Sequence, residues 1–365
     1  MRCFSQVQLV VAACLVFCAP LCHADDFWGL KPGKVELKSA GPLAFGPDGI
    51  IFVGDTKAAT VYAIATGDAK ANASMDAVSV PDVRAKLADL LGASPDQVTV
   101  NDLAVNPESK NLYLSVSAGD AAPAALVRLD AEGKFSKLSL ADVEHQKVVF
   151  SNAPEDREGR RNPRDSSITD LAYAEGKVIV SGLATGEAQS TVRELAFPFA
   201  DEDKGTSVEI YHAAHGRSET NAPIRTFVTL TINGEPTLLA GFTCTPLVKL
   251  PLDRLASGEK VQATTVAELG NRNQPLDMIA YKKDGKDFLL LSNSARGLMK
   301  ISTESIEENA GLTEPVRDGE TAGQPFESIE GQDGIEQMDR LNELYAVVLA
   351  KTSDGTLELR SFELP

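Results

Sequence analysis

The sequence predicts an all-β protein, a six-bladed β-propeller with one short inserted helix. The main observation is a pair of apolar strands joined by a polar turn, which recurs six times. Clear copies are GPLAFGPDGIIFVGD from Gly41, VNDLAVNPESKNLYLSVS from Val100, TDLAYAEGKVIVSG from Thr169 and PLDMIAYKKDGKDFLLLSNS from Pro275. Weaker copies are APIRTFVTLTINGEPTLLAGFT from Ala222 and DGIEQMDRLNELYAVVLAKT from Asp333. Three or more strands per unit, repeated six times, are typical of a propeller.

Each unit contains further strand signals. The hairpin turns carry Asp-Gly or Asn-Gly pairs at Asp48, Asn233 and Asp284, which accept the positive φ angles that tight turns require. A third apolar strand follows every hairpin and starts near Ala59, Ala125, Thr191, Pro246, Gly297 and Thr356. Fourth strands are expected at SVEIYHA from Ser207 and at KVELKSA from Lys34, and the second of these is expected to close the ring by completing the last blade.

One insertion departs from the strand pattern. Apolar residues recur at helical spacing at Val83, Leu87, Leu90 and Leu91. Because Pro81 and Gly92 flank them as start and stop signals, a helix is expected near residues 81–92. Residues 303–334 are rich in Glu, Gly and Thr and are interpreted as a long exposed connection. No feature of the sequence indicates a boundary between domains, so a single domain over residues 25–365 is expected.

Residues 1–24 have the composition of a secretory signal peptide. They combine one cation at Arg2 with an apolar run from Leu9 to about Leu21 and small residues before Asp25. A membrane anchor is the alternative, but the run is shorter than the ~20 residues that a spanning helix needs. We expect cleavage after Ala24, a periplasmic or secreted protein, and no membrane insertion of the mature chain. Cleavage removes four of the five cysteines and leaves only Cys244, so no internal disulfide is expected.

The charge of the chain excludes some classes of partner. Its formal net charge is −17 at pH 7. A surface of this sign repels nucleic acid and anionic lipid headgroups, so neither is an expected partner.

Three aspartates stand at the start of innermost strands: Asp102, Asp170 and Asp277. Since these strand ends surround the central channel, the three carboxylates are expected to converge there. Converging carboxylates repel one another unless protons or a cation intervene, and oxygen ligands suit Ca²⁺ or Mg²⁺. A metal site is one interpretation. The other is structural, because Asp at a strand start can accept backbone N–H groups.

Loops expected on the same face carry cationic and polar residues. The candidate ligand-binding set is Arg164, His215, Arg217, Asn221, Cys244, Arg272, Asn273 and Arg296. Guanidinium groups in a concave site suit the bidentate capture of carboxylate or phosphate, so an anionic small molecule or a protein segment is the expected partner. The alternative is that neighbouring acids such as Asp165 and Glu219 neutralise these cations. A zinc or copper site at His212 and His215 is disfavoured, because alternation along a strand sends these two side chains to opposite faces.

The first two hairpins resemble those of the gluconolactonase-like and NHL-type six-bladed propellers. The resemblance implies a divalent metal in the channel, but Pro42 stands where a ligating acid is expected, and Asn101 and Asp102 would have to supply an Asn-type ligand. The sequence contains no GxSxG, HExxH or CxxCH motif. A binding or scaffold protein is therefore the leading hypothesis. The alternative is a metal-dependent hydrolase of the lactonase type, and no cofactor other than a divalent cation is expected.

Overall fold

The computed structural model describes residues 27–70, 75, 77–119, 124–159, 162–317 and 319–365. It confirms the prediction of six sheets arranged as a propeller. The predicted signal peptide and its cleavage site lie outside the described residues, as do Arg160 and Arg161. Within the described ranges, no helix has the length and apolar character needed to cross a membrane.

The blades are numbered by the chain order of their innermost strands, and the strands of each are given from the channel outwards. Blade 1 contains Leu43–Phe45, Ile50–Asp55, Thr60–Ala65, Val143–Val149 and Lys31–Gly33. Blade 2 contains Val98–Val105, Leu112–Ala118, Ala125–Leu129 and Phe135–Lys137. Blade 3 contains Asp170–Ala174, Lys177–Leu183, Ser190–Ala196, Thr206–His212 and Arg217–Glu219, with Lys260–Gln262 also paired to Thr206–His212.

The remaining blades follow the same plan. Blade 4 contains Ile224–Ile232, Glu235–Phe242, Pro246–Pro251, Thr264–Glu268 and Ala322–Gly323. Blade 5 contains Pro275–Lys283, Lys286–Asn293, Gly297–Ser302 and Phe326–Ile329. Blade 6 contains Ile335–Arg340, Tyr345–Lys351, Leu357–Glu363 and Ser79–Val80. Short 3₁₀ helices occupy Phe27–Gly29, Pro47–Gly49, Pro95–Gln97, Pro163–Ser166 and Leu252–Arg254.

The apolar core lies between the blades. Six clusters of buried residues each join two neighbouring blades, and they give the ring order 1, 3, 4, 5, 6, 2. The strand Ile50–Asp55 shows how the sequence builds them, because its side chains alternate between two faces. Ile50 and Phe52 pack against blade 3, whereas Ile51 and Val53 pack against blade 2. Both faces are covered, which explains why the inner strands are continuous apolar runs.

The ring closes through two excursions of the chain. After three strands of blade 1, the chain adds Ser79–Val80 to the edge of blade 6. It then builds blade 2 between blades 6 and 1, and returns to add Val143–Val149 to blade 1. The expectation that residues 34–40 complete the last blade was wrong, because the neighbouring strand Lys31–Gly33 pairs within blade 1. The expected connection at residues 303–334 was also wrong in part, because it contains the fourth strand of blade 5, Phe326–Ile329.

The inserted helix spans Val83–Leu91 and confirms the prediction for residues 81–92. Asp82 caps it by accepting a hydrogen bond from the Ala85 N–H at 3.0 Å, and Gly92 ends it in the left-handed conformation with φ 69°. Val83 and Leu87 are buried in the cluster between blades 2 and 6. The helix therefore covers the junction at which the order of the blades departs from the order of the chain.

Candidate functional site

One position in each blade lines a common cavity at the start of the innermost strands. The six residues are Pro42, Asp102, Asp170, Thr226, Asp277 and Gln337. The cavity, hereafter the channel-mouth cavity, has a volume of about 420 Å³. The convergence predicted for Asp102, Asp170 and Asp277 is therefore present, and the fold produces it because every inner strand starts at the same end of the channel.

A repeated β-bulge shapes this cavity. In the described part of the chain, four innermost strands carry an extra residue directly before the lining position: Asn101, Arg225, Leu276 and Glu336. A bulge bends its strand and changes the direction of a side chain, and such bulges are frequent beside binding sites. Asn101, Arg225 and Leu276 also line the channel-mouth cavity. The bulges thus add a second layer of side chains above the six lining positions.

Asp102, Asp170 and Asp277 also connect neighbouring blades. Each carboxylate accepts the N–H of the next residue in its own strand, at 2.7 to 2.8 Å. Its other oxygen accepts an N–H from the innermost strand of the adjacent blade, at 2.6 to 2.7 Å. In the neighbouring blade, the donor is the N–H of Leu43 for Asp102, of Phe227 for Asp170 and of Met338 for Asp277. The backbone hydrogen bonds expected under the structural interpretation of these aspartates are therefore present.

Asp339 is a fourth aspartate of this type that the sequence analysis missed. It accepts the N–H groups of Val105 and Arg340, both at 2.7 Å, and so joins blade 6 to blade 2. Asp339 lies deeper in the channel and lines a second cavity of about 710 Å³, which Asp102, Asp170 and Asp277 also line. The layer formed by these three carboxyl groups therefore borders both cavities. We refer to the four residues as the bridging aspartates.

The bridging aspartates have raised pKa values. Burial raises the pKa of Asp170 to about 7 and that of Asp339 to about 6, although the backbone hydrogen bonds oppose the shift. Burial, followed by the nearby charge of Asp170, raises the pKa of Asp102 well above its ordinary value. The pKa of Asp277 shifts in the same direction because of burial and the charges of Asp102 and Asp170. The channel thus contains carboxyl groups that are partly protonated near neutral pH.

The cation at the channel mouth is Arg225, which the sequence analysis did not select. Its Nε is buried without a hydrogen-bond partner among the described residues. Burial alone lowers the pKa of Arg225, with no contribution from a neighbouring carboxylate. Exposed Lys57 adds a second cation to the cavity lining. The bulged position of Arg225, visible only in the strand register, is what distinguishes it from the other arginines.

The residues predicted to bind the ligand lie elsewhere. The structure describes all eight, and none of them lines either channel cavity. Asn221 and Arg272 are exposed, and Arg164 is half-buried in a 3₁₀ helix. Asn273 is buried, accepts a hydrogen bond from Asn293 at 3.0 Å and so supports a loop. Arg296 donates to the carbonyl of Gly319 at 3.2 Å. A shared ligand-binding role for the eight stays a prediction.

His215 and Arg217 meet at one carboxylate, that of Glu219. His215 Nδ1 lies 2.8 Å from Glu219 Oε1, and Arg217 Nε donates to the same oxygen at 3.0 Å. His212 Nδ1 lies 2.9 Å from the other oxygen, Oε2. Burial would raise the pKa of Glu219, but the hydrogen bonds from His212, His215 and Arg217 outweigh it and hold the pKa at about 2. We call His212, His215 and Glu219 the His–Glu cluster.

The prediction that His212 and His215 point to opposite faces was wrong. The strand Thr206–His212 ends at His212, and a turn follows in which the His215 N–H donates to the His212 carbonyl at 3.1 Å. Alternation therefore stops before His215, and the two ring centroids lie 3.8 Å apart. Cys244 is half-buried. Burial raises the pKa of its thiol, and the nearby carboxylates of Glu268 and Glu219 add to the rise.

Comparisons with known proteins give no family assignment. No family profile and no curated protein matches the chain. Two structures of the plexin A4 extracellular region align with 91% of the chain at 9% identity, with TM-scores of 0.42 and 0.41. The chain covers only 40% and 47% of those plexin chains. A putative oxidoreductase (glucose dehydrogenase) from Thermus thermophilus aligns over 92% of this chain and 100% of its own, at 14% identity and a TM-score of 0.34. These similarities are too low to support a functional argument.

Proposed function

We propose that the protein is an exported binding protein that holds a small anionic molecule in the channel-mouth cavity. The observation that carries the proposal is half-buried Arg225, whose Nε is buried at the cavity wall without a described partner. A guanidinium group is rarely buried unless a partner compensates for its lost hydration. Since no carboxylate contributes to the pKa of Arg225 and its Nε has no partner in the described ranges, an anionic ligand would supply the missing partner.

The remaining lining residues indicate what else the ligand carries. Asn101, Thr226 and Gln337 offer neutral hydrogen-bonding groups, and the aspartates below them offer carboxyl groups that are partly protonated. Such a set matches hydroxyl groups, which both donate and accept. The volume of about 420 Å³ lies in the range of small-molecule sites. A carboxylate or phosphate that also bears hydroxyl groups therefore fits better than a protein segment.

Thermal unfolding with a panel of hydroxylated carboxylates and sugar phosphates would test the proposal. A ligand should raise the melting temperature of the wild-type protein and of Arg254→Met, because exposed Arg254 lines neither channel cavity. At the same ligand concentration, the rise should be smaller for Arg225→Met. Loss of one charge-assisted pair would weaken binding by about 10 to 100-fold, which isothermal titration calorimetry can measure. Equal binding by Arg225→Met would contradict the proposal.

Hydrolysis with a divalent ion at Asp102, Asp170 and Asp277 is the second candidate function. The observation in its favour is the raised pKa of three carboxyl groups that share one cavity, since a cation would relieve their repulsion. The present geometry does not fit a shell made directly by all three. Their oxygens accept backbone N–H groups. Among the described residues, the donor atoms of these three aspartates do not all lie within 4.8 Å of one another. Elemental analysis for Ca²⁺ and Mg²⁺ tests this prediction.

Export is part of the same proposal. The intact mass of protein recovered from the periplasm or the medium should lack residues 1–24. A full-length mass in that fraction would contradict cleavage after Ala24.

A further inference from the structure

The His–Glu cluster lies apart from the channel and is held by a short hairpin of blade 3. His212 ends the strand Thr206–His212, and Glu219 ends the paired strand Arg217–Glu219. The four-residue turn between the strands carries His215, and a hydrogen bond from the Gly216 N–H to the Ala213 carbonyl, at 3.1 Å, tightens it. Backbone hydrogen bonds within one hairpin therefore hold the three residues close together.

The donor atoms of the cluster are close enough to share one ion. One ligand atom from each of His212, His215 and Glu219 lies within 4.8 Å of the others. A tetrahedral ion with bonds of about 2.0 to 2.2 Å separates its ligands by roughly 3.3 to 3.6 Å. The present contacts of 2.8 and 2.9 Å are shorter by about half an ångström, a displacement within ordinary side-chain motion.

The cluster is incomplete as a hydrogen-bond network. His212 is only 1% exposed, and its Nε2 has no partner within the described part of the chain. A buried imidazole nitrogen without a partner destabilises the folded state. Glu268 lies against the same turn, where its Oε2 accepts the N–H of Ala214 at 3.1 Å, and its Oε1 is likewise buried without a described partner. The buried surroundings of the cluster thus contain polar atoms without described partners, among them a carboxylate oxygen of Glu268.

The cluster can be reached by an ion from solvent. His215 is 41% exposed and provides a route from solvent. Arg217 is the one adjacent cation seen in the described chain, and at 72% exposure it can turn into solvent.

We propose that His212, His215 and Glu219 bind one Zn²⁺ ion at the edge of blade 3. Two imidazole nitrogens and one carboxylate oxygen form a ligand set that Zn²⁺ accepts with a fourth position left to water. The Cys244 thiol lies near the cluster but outside the group of mutually close donors. The site is thus an open one. It does not depend on the channel-mouth cavity.

Zinc titration of the chelator-treated protein, followed by isothermal titration calorimetry, tests the proposal. Wild-type protein and the control His145→Ala should each bind one equivalent. His145 belongs to blade 1 and has its Nδ1 3.0 Å from the Val143 carbonyl, so it matches the residue type without joining the cluster. His215→Ala and Glu219→Gln should each weaken binding by more than about 100-fold, because loss of a direct ligand exceeds the ~10 to 100-fold effect of losing an outer partner.

Cobalt substitution gives an independent readout. Co²⁺ bound at a four-coordinate site should show visible absorption that His215→Ala abolishes. His215→Ala is the decisive variant because this exposed ring supports no core, and its unchanged thermal unfolding would establish that the fold is intact. Absence of stoichiometric Zn²⁺ binding by the wild type, or equal binding by His215→Ala, would overturn the proposal. Neither result bears on ligand binding at Arg225.

Discussion

The stability of the Asp170→Asn variant, measured relative to wild type, should increase as the pH rises. Asp170 joins blades 3 and 4 by accepting the N–H groups of Leu171 and Phe227, both at 2.7 Å. Burial raises its pKa from the ordinary value of 3.8 to about 7, so the folded state prefers the uncharged acid. Asparagine has nearly the same shape and is uncharged at every pH, but its Nδ2 cannot accept the second N–H group, which lowers its stability by an amount that does not depend on pH. The change of the stability difference with pH therefore isolates the effect of the charge.

The sign and size follow from linkage. Because the folded pKa is raised, the contribution of Asp170 to stability is fully present below about pH 4 and is lost as the pH rises through 7. Between pH 5 and pH 8, a pKa difference of this size changes the free energy of unfolding by about 2 to 3 kcal/mol. Asp170 is half-buried, and the screening of a partly exposed charge by solvent makes this value an upper bound. Asp170→Asn should avoid the loss.

Urea unfolding at pH 5 and pH 8 measures the difference directly. The stability of Asp170→Asn minus that of wild type should increase over this interval. Asp165→Asn, at an exposed position on the rim of the same cavity, should show no such change. Asp170→Ala should be less stable at pH 5 by about 2 to 6 kcal/mol, because two backbone N–H groups lose their acceptor. A difference between Asp170→Asn and wild type that is constant or falls with pH would refute the reasoning.

Three further changes test other parts of the structure. Arg225→Met should raise the free energy of unfolding by about 1 to 2 kcal/mol, because it removes a buried N–H without a described partner. A melting temperature below that of wild type would indicate a structural role for Arg225 instead. Gly182→Ala should destabilise the protein by about 1 to 3 kcal/mol in urea unfolding, because an added Cβ would overlap the Ser167 carbonyl oxygen. Unchanged stability would contradict that close approach. Leu87→Ala, in the core under the helix, should lower the free energy of unfolding by about 2 to 5 kcal/mol. Leu90 is 37% exposed on the same helix, and Leu90→Ala should lower it by less than about 1 kcal/mol. Equal losses in calorimetric melts would argue against the packing described for the helix.

The fold could be predicted because its determinants are local. Asp48, Asn233 and Asp284 all adopt the positive φ angles expected of their turns. The helix ends beside its predicted stop signal, Gly92, and begins two residues after its predicted start signal, Pro81, with Asp82 as the capping residue between them. The order of the blades could not be predicted in this way. Ser79–Val80 is a two-residue strand, and only its pairing with Leu357–Glu363 shows that it belongs to blade 6.

The candidate site was predicted in part. Asp102, Asp170 and Asp277 were found because each repeat places them at the same point, and repetition is visible in sequence. Asp339 was missed because it sits two residues after the lining position of its blade, and Arg225 because a bulge has no distinct sequence signal. His212 and His215 were misjudged because the end of a strand is a tertiary outcome, set by where its partner Arg217–Glu219 stops.

The sequence by itself determined the class of fold, the number of blades, the inserted helix and the three channel aspartates, because alternation, turn residues and repeats depend on neighbours along the chain. Tertiary structure alone decided the ring order, the unpaired state of Arg225 and the meeting of His212 with His215 and Glu219. Burial and partnership depend on residues far apart in the chain, as the hydrogen bond between Asp339 and Val105 shows.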